Sequence, residues 1–173
     1  MKIIATTIFT VSLFLCLSCN NTPVIEVESK PGEEIKERLI NANKYIASSE
    51  RTQIEGYIAR RGWVTTTLPC GAEMLEYERG DGSAIDYDDT VTILYTLQTL
   101  SGATIYSDEE QTVIAGRREV AAGVDEALKR LRAGSKAHIV VPSEAGYGVA
   151  GDGDRIPSRT VLVYDLHVKA VKK

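Results

Sequence analysis

The stretch VVPSEAGYGVAGDGDRIPSRTVLVYDLHV, residues 140–168, decides the fold of this chain. It opens on the end of an apolar segment, continues through a loop rich in glycine, and closes on a segment in which apolar and polar side chains alternate. The apolar side chains of that last segment share one face: Leu162, Tyr164, Leu166 and Val168. Alternation with a period of two is typical of an antiparallel strand with one buried face. The stretch therefore predicts two strands joined by a glycine-rich loop.

Two upstream segments alternate in the same way, residues 90–97 and residues 135–141. Between them, residues 120–131 place apolar side chains at helical spacing and end before Gly134; the apolar residues are Ala121, Val124, Leu128 and Leu131. A sheet with one apolar face must bury that face against another element. The sequence thus predicts an α+β fold in which one short helix covers one face of an antiparallel sheet.

Residues 32–61 form a helical extension before these strands. Apolar side chains recur at spacings of four, three and four along its first part: Ile35, Leu39, Ala42 and Ile46. This periodicity is typical of an amphipathic helix. Residues 47–49 can break the run, because Thr52 to Glu55 has the form of a capping box opening a second helix. Arg60 and Arg61 followed by Gly62 are typical of a helix end.

The leader, residues 1–18, begins with one positively charged side chain, that of Lys2, which is followed by a short uncharged and mostly apolar segment. A run this short is typical of a signal peptide and falls below the roughly 20 apolar residues of a membrane-spanning helix. It resembles a bacterial lipoprotein signal, since the small residue Ser18 precedes Cys19. Lipidation of Cys19 is the preferred prediction, with simple cleavage and retention as an anchor as the alternatives. Residues 19–31 would then be a flexible tether from the membrane.

Composition narrows the possible partners. The net charge of −4 and the pI of about 5.3 offer no basic footprint, so no nucleic-acid partner is expected. Beyond the predicted lipidation site, Cys70 is the remaining cysteine, so the mature chain has no pair for an internal disulfide. A buried or half-buried thiol is the preferred prediction for Cys70, over a reactive one.

Three motifs resemble parts of cofactor or metal sites, but each lacks features that such a site requires. Residues 146–151 match the pattern G-x-G-x-x-G, but Gly153 and Pro157 argue against the helix that a dinucleotide site needs at that point. Residues 86–89 lack the glycine and the glutamate of a calcium loop. The two histidines, His138 and His167, lie on polar strand faces and are predicted to be solvated.

About a hundred residues, 72–171, resemble the FKBP-type peptidyl-prolyl cis-trans isomerases. Three blocks carry the resemblance in order and at the family's spacing: residues 91–96, residues 115–128, and the opening stretch with Gly146-Tyr147-Gly148, Ile156-Pro157 and Leu162 to Asp165. The resemblance implies an FKBP-like antiparallel sheet curled around one short helix, occupying residues 63–173 after the extension at 32–62. The helical N-terminal part, followed by Arg60-Arg61-Gly62-Trp63 and then the core, is also similar to gliding-motility-associated FKBP-type lipoproteins. This similarity implies a cell-envelope protein facing the periplasm, with the outer membrane preferred.

The resemblance also implies a site for the Xaa-Pro bond of a polypeptide, with no cofactor and no metal. Its catalytic residues would be Tyr147, Tyr95, Tyr164 and the backbone N–H of Ala121, and its substrate-binding walls would be Ile105, Tyr106, Val113, Val120, Val124 and Ile156. Three positions depart from the family pattern. Tyr106 stands where an acid is usual, Val124 where a tryptophan is usual, and Gln111 replaces a frequent aromatic.

Two functions follow from this pattern. The preferred one is an isomerase that assists the folding of exported proteins, and the alternative is a weakly catalytic or non-catalytic chaperone or proline-binding module in an envelope complex. The missing acid and tryptophan leave both open. Residues 32–62 are predicted to mediate a homodimer or contact with clients.

Overall fold

The computed structural model describes residues 31–173. The predicted leader, Cys19 and all but the last residue of the tether lie outside these described residues. Residues 40–173 form one compact unit, which contains the sheet and the candidate site. Within residues 31–173, no helix is both long enough and apolar enough to cross a membrane.

Two α-helices, six strands and a short 3-10 helix, Ser143–Ala145 between β5 and β6, make up the described part of the chain. In chain order the α-helices and strands are α1 (Pro31–Arg61), β1 (Thr66–Thr67), β2 (Glu73–Glu78), β3 (Thr90–Thr99), β4 (Thr104–Ile114), α2 (Ala122–Leu128), β5 (Lys136–Val141) and β6 (Leu162–Lys172). The strands form one sheet of order β1-β2-β5-β6-β3-β4, and every pair is antiparallel. The predicted α+β fold is therefore confirmed.

The main core lies between one face of the sheet and α2. Val124, Ala127 and Leu128 of α2 are completely buried there. The alternating side chains of the three predicted strands face the same core and are buried, except for the half-buried Tyr95. Each Val, Leu or Ile side chain removed from water in this way stabilises the fold by about 1.5–3 kcal/mol. Helix α2 is shorter at both ends than the predicted span of residues 120–131.

Helix α1 runs without interruption through Ala47, Ser48 and Ser49, so the predicted break is wrong. The polar side chains in this region bond to the helix's own carbonyls. The Ser48 hydroxyl donates to the Tyr45 carbonyl at 2.8 Å, and the Thr52 hydroxyl donates to the Ser48 carbonyl at 3.1 Å. A hydroxyl bonded to a carbonyl three or four residues earlier is compatible with a continuous helix. Thr52 therefore acts as an interior residue and not as an N-cap.

The second face of the sheet is also covered, which the sequence analysis did not predict. Ile54 and Tyr57 of α1 are each 2 % exposed and form a second apolar cluster with the sheet; its other buried members are Val140, Val161 and Val163. Val140 of β5 and Val163 of β6 occupy strand positions that point away from the main core, and Val161 directly precedes β6. The expected short helix on one face of the sheet is therefore confirmed, and α1 in addition covers part of the opposite face.

The same packing changes the surroundings of His138. Its ring stacks on Trp63 with ring centroids 4.4 Å apart and lies 4.5 Å from the ring centroid of Tyr77. Burial lowers the pKa of His138 and also that of His167, and both side chains are half-buried. The prediction that the two histidines are solvated is wrong, most clearly for His138.

Candidate active site

Four tyrosines from different parts of the sheet and loops meet at one end of the main core. Tyr95 lies on β3, Tyr106 on β4, Tyr164 on β6, and Tyr147 in the loop between β5 and β6. In the β3–β6 ladder Leu97 is paired with Tyr164, which places Tyr95 on the same face diagonally across from Tyr164. The ring centroids of Tyr95 and Tyr164 are 5.6 Å apart. Antiparallel register therefore builds this aromatic group from residues distant in sequence.

Burial shifts the pKa of the two inner tyrosines of this cluster, Tyr164 and Tyr95. Burial raises the pKa of Tyr164 well above its ordinary value, and the neighbouring Tyr147 hydroxyl raises it further. Burial also raises the pKa of Tyr95, with Tyr147 again the next contributor. Tyr164 is 4 % exposed whereas Tyr147 is 37 % exposed. Tyr147 is thus far more exposed than Tyr164, and its hydroxyl lies next to that of Tyr164.

The predicted apolar walls come together in the same core. Val113, Ala121, Val124, Ile156 and Tyr164 belong to its buried cluster, and the half-buried residues packed against that cluster include Tyr95, Ile105, Tyr106 and Val120. Tyr147 lies outside the buried cluster and beside it, and Cys19 lies outside the described residues. Val124 is completely buried, so valine in place of tryptophan makes this floor less aromatic without opening it to solvent.

A backbone donor lies at the start of α2. Ala121 is the residue before the helix, with φ −48° and ψ 137°, and its carbonyl accepts the N–H groups of Val124 and Asp125 at 2.9 and 3.0 Å. Within residues 31–173, no hydrogen-bond acceptor pairs with the N–H of Ala121. The first N–H groups of a helix have no partner inside the helix and are available to other acceptors. The Ala121 N–H is therefore a donor without a partner among residues 31–173, on a residue of the same core as Tyr164.

The rim contains an acid that the sequence analysis missed, Asp152. The Tyr106 hydroxyl donates to one oxygen of the Asp152 carboxylate at 3.1 Å, and the N–H groups of Asp154 and Ile156 donate to the other at 2.9 and 2.7 Å. Burial alone would raise the pKa of Asp152, but these hydrogen bonds outweigh it and lower the pKa. Asp108, considered as a substitute for the missing acid, is an exposed residue whose backbone N–H donates to Thr96.

Asp152 therefore connects the two sides of the rim. One side is Tyr106 on β4, and the other is the turn that places Ile156 in the core. The guanidinium of Arg155 adds a second link, since it lies 5.2 Å from the Tyr106 ring centroid and donates to the Ile105 carbonyl at 3.4 Å. An aspartate that bonds the backbone two residues later is a common turn former. The segment Asp152-Gly153-Asp154 was the available signal for this turn, although nothing in it identified Tyr106 as the partner.

Comparisons with known proteins agree with this arrangement. Residues 82–169 match the family of FKBP-type peptidyl-prolyl cis-trans isomerases. A probable FKBP-type peptidyl-prolyl cis-trans isomerase of Haemophilus influenzae is 31% identical over 144 residues, which are 79% of this chain and 60% of that protein. A protein of Legionella longbeachae named outer membrane protein MIP is 32% identical over 112 residues, 61% of this chain and 46% of that protein.

Among solved structures, a peptidyl-prolyl cis-trans isomerase of Pseudomonas syringae superposes with a TM-score of 0.64 at 29% identity. The match covers 75% of this chain and 96% of that one. Because the matched family segment is half of the sequence and contains the tyrosine group, the chain belongs to the FKBP-type peptidyl-prolyl cis-trans isomerase family. It spans about half of the length of the Legionella relative and three fifths of the Haemophilus relative.

Proposed function

We propose that this protein is a peptidyl-prolyl cis-trans isomerase that acts on proline-containing polypeptides, and that it assists the folding of exported proteins. The observation that supports it most directly is the Tyr147 side chain, 37 % exposed next to the buried Tyr164 of the apolar core, together with a backbone N–H at Ala121 that has no partner within residues 31–173. Two hydrogen-bond donors next to an apolar wall suit a peptide carbonyl and a proline ring.

The reaction needs little chemistry beyond this surface. Rotation about an Xaa-Pro bond crosses a barrier of about 18–20 kcal/mol because the C–N bond has partial double-bond character. The planar amide is more polar than the twisted one, so water favours the planar form. An apolar wall of Tyr95, Ile105, Val120 and Tyr164 removes that advantage. Removing the hydration of the amide therefore lowers the free energy of the twisted state relative to the planar one.

The donors fix the chain on either side of the rotating bond. The Ala121 N–H would bind one substrate carbonyl and the Tyr147 hydroxyl a second. A bond that is stronger in the twisted state than in the planar one increases the rate, whereas equal binding of both states lowers only KM. Ile156 and Val113 would contact the proline ring, and Tyr106 would form the rim with Asp152.

Replacing Tyr147 by phenylalanine tests this assignment. The variant Tyr147→Phe should lower kcat/KM for proline-limited refolding about tenfold, because the loss of one hydrogen bond of about 1.4 kcal/mol changes a rate by that factor. Tyr45→Phe is the matched control, since Tyr45 is 76 % exposed on α1. A wild-type protein no faster than buffer that still suppresses aggregation would favour the alternative, a non-catalytic chaperone or proline-binding module. Equal rates for wild type and Tyr147→Phe would remove Tyr147 from the reaction.

We also infer that the chain is tethered to a cell-envelope membrane by lipid on Cys19, facing the periplasm, with residues 1–18 removed as a signal peptide. The support is the Ser18-Cys19 junction after a short apolar run and the similarity to a relative named as an outer membrane protein. Metabolic labelling with a fatty acid should mark the wild type and not Cys19→Ala. Label that persists on Cys19→Ala would refute this anchor site.

A homodimer through residues 32–62 is the remaining proposal. Along α1, the apolar side chains of Ile35, Leu39 and Ile40 are 60, 60 and 43 % exposed. Apolar side chains that remain exposed at helical spacing suit a second copy of the same helix. A monomeric mass in light scattering at micromolar concentration would exclude this dimer.

A further inference from the structure

Helix α1 contributes a buried carboxylate to the domain that carries the tyrosines. Glu50 is 7 % exposed, and both of its oxygens accept hydrogen bonds from one residue, Ser143. The Ser143 N–H donates to Oε2 at 3.0 Å, and the Ser143 hydroxyl donates to Oε1 at 2.6 Å. A buried carboxylate is unfavourable unless hydrogen bonds replace its hydration. Glu50 and Ser143 are therefore held in a defined geometry.

Ser143 is also the anchor of the turn that carries Tyr147. Its carbonyl accepts the N–H of Gly146 at 3.1 Å and the N–H of Gly148 at 2.8 Å, and these two glycines flank Tyr147. The donors of Ser143 thus bind α1 while its carbonyl binds the turn. A continuous series of hydrogen bonds leads from Glu50 through Ser143 to the residues on either side of Tyr147.

The helix that carries Glu50 is itself seated on the sheet. Ile54 and Tyr57, one and two turns further along α1, are buried against strands β5 and β6 and the residue preceding β6. This apolar contact would hold the helix without any charged residue at position 50. The buried carboxylate therefore needs an explanation other than attachment of the helix to the sheet. Ser143, its one hydrogen-bond partner among residues 31–173, indicates what that explanation is.

We propose that Glu50 is a positioning residue of the isomerase site: through Ser143 it fixes the turn that presents the Tyr147 hydroxyl. The helical extension is on this account part of the active-site framework as well as a spacer from the membrane. This inference rests on the proposed isomerase function, because the positioned group is the donor assigned to the substrate.

Rates on a proline peptide test the proposal in full-length protein. Glu50→Ala should lower kcat/KM about tenfold, since a small misplacement of a catalytic group has effects of this size or larger. Glu50→Gln keeps an acceptor for the Ser143 N–H and should stay within about threefold of wild type. Glu55→Ala is the matched control: it removes the same side chain from the same helix, and Glu55 is exposed and paired only with Arg51 within the described residues. It should leave kcat/KM unchanged.

A double variant separates positioning from general damage. If Glu50 acts through Tyr147, then Glu50→Ala in a Tyr147→Phe background should cost less than about twofold, because the group that it positions is already gone. Losses that multiply fully would overturn the proposal. So would a Glu50→Ala protein that is folded by circular dichroism and as active as wild type.

Hydrogen exchange provides a reading that does not depend on activity. In Glu50→Ala the Gly148 amide, which donates to Ser143, should exchange at least about tenfold faster, while amides in the β5–β6 ladder keep wild-type rates. Unchanged exchange at Gly148 would overturn the link between Glu50 and the turn. If the wild-type protein has no isomerase activity but Gly148 responds, the proposed function fails and the structural coupling stands.

Discussion

Gly151→Ala is expected to lower the free energy of unfolding by about 3 kcal/mol and to lower kcat/KM more than tenfold. Gly151 has φ +71°, and an added Cβ would overlap the carbonyl oxygen of Ile156. The left-handed conformation alone costs about 1–2 kcal/mol for a residue with a Cβ. The overlap requires the backbone at Ile156 to move as well, and such displacement typically costs about 1–3 kcal/mol.

The effect on activity follows from what this backbone carries. Gly151 N–H donates to the Tyr147 carbonyl at 3.1 Å, and Asp152 N–H donates to the Ile156 carbonyl at 3.3 Å. A shift at Gly151 therefore displaces the proposed donor, one apolar wall and the acid that bonds Tyr106. Three parts of the site move together, which is why the expected loss exceeds that of Tyr147→Phe.

Gly153→Ala is the matched control for this experiment. Gly153 has φ +80°, and a Cβ added there would have no atom within 4 Å. It shares the left-handed strain of Gly151 without the overlap, so it should cost only about 1–2 kcal/mol and leave kcat/KM within about threefold of wild type. Urea denaturation and proline-limited refolding measure the two quantities. Equal losses for the two variants would show that close packing at Gly151 plays no part.

The strands of the main core were predictable because their side chains alternate. One face of β3, β5 and β6 is buried against α2, so the sequence must place apolar residues at every second position there. Most positions on the inward faces predicted from residues 90–97, 135–141 and 162–168 are buried in the structure. The tyrosine group followed from the family resemblance, since Tyr95 and Tyr164 occupy inward-facing positions where ordinary packing and substrate binding require similar side chains.

The second face of the sheet was missed for a physical reason. Alternation identifies one buried face and gives the other as solvated, yet Val140 and Val163 are apolar on the outward face. Two outward valines are too few for a periodic signal. The side chains that cover them, Ile54 and Tyr57 of α1, lie far earlier in the sequence. Glu50 was missed in the same way, because its bond to Ser143 joins residues 93 positions apart.

Asp152 shows a different limit of prediction from the sequence. Its turn could be expected from Asp152-Gly153-Asp154, but its bond to Tyr106 depends on how far a loop reaches over the sheet. The sequence showed that an acid was absent from position 106 and gave no means of finding one 46 residues later. The structure places a carboxylate at the rim from the opposite side.

Ile54→Ala is the second large effect that we expect. Ile54 is 2 % exposed in the cluster between α1 and the sheet, so removing its side chain leaves a cavity that costs about 3 kcal/mol. Tyr45→Ala is the control on the same helix: Tyr45 is 76 % exposed and is not among the side chains proposed for the dimer, so a surface substitution there should change stability by less than about 0.5 kcal/mol. Urea denaturation compares the two midpoints directly.

The one tryptophan of the sequence makes this experiment sharper. Trp63 packs against the cluster that contains Ile54 and stacks on His138, so its fluorescence reports the contact between α1 and the sheet, whereas circular dichroism reports the whole fold. Because residues 40–173 form one compact unit, both signals should change at the same urea concentration in wild type and in Ile54→Ala. A fluorescence transition at lower urea than the dichroism transition in wild type would contradict this cooperativity. It would mean that α1 leaves the sheet before the domain unfolds, and the turn that carries Tyr147 would lose its support from Glu50 under conditions in which the rest of the site is intact.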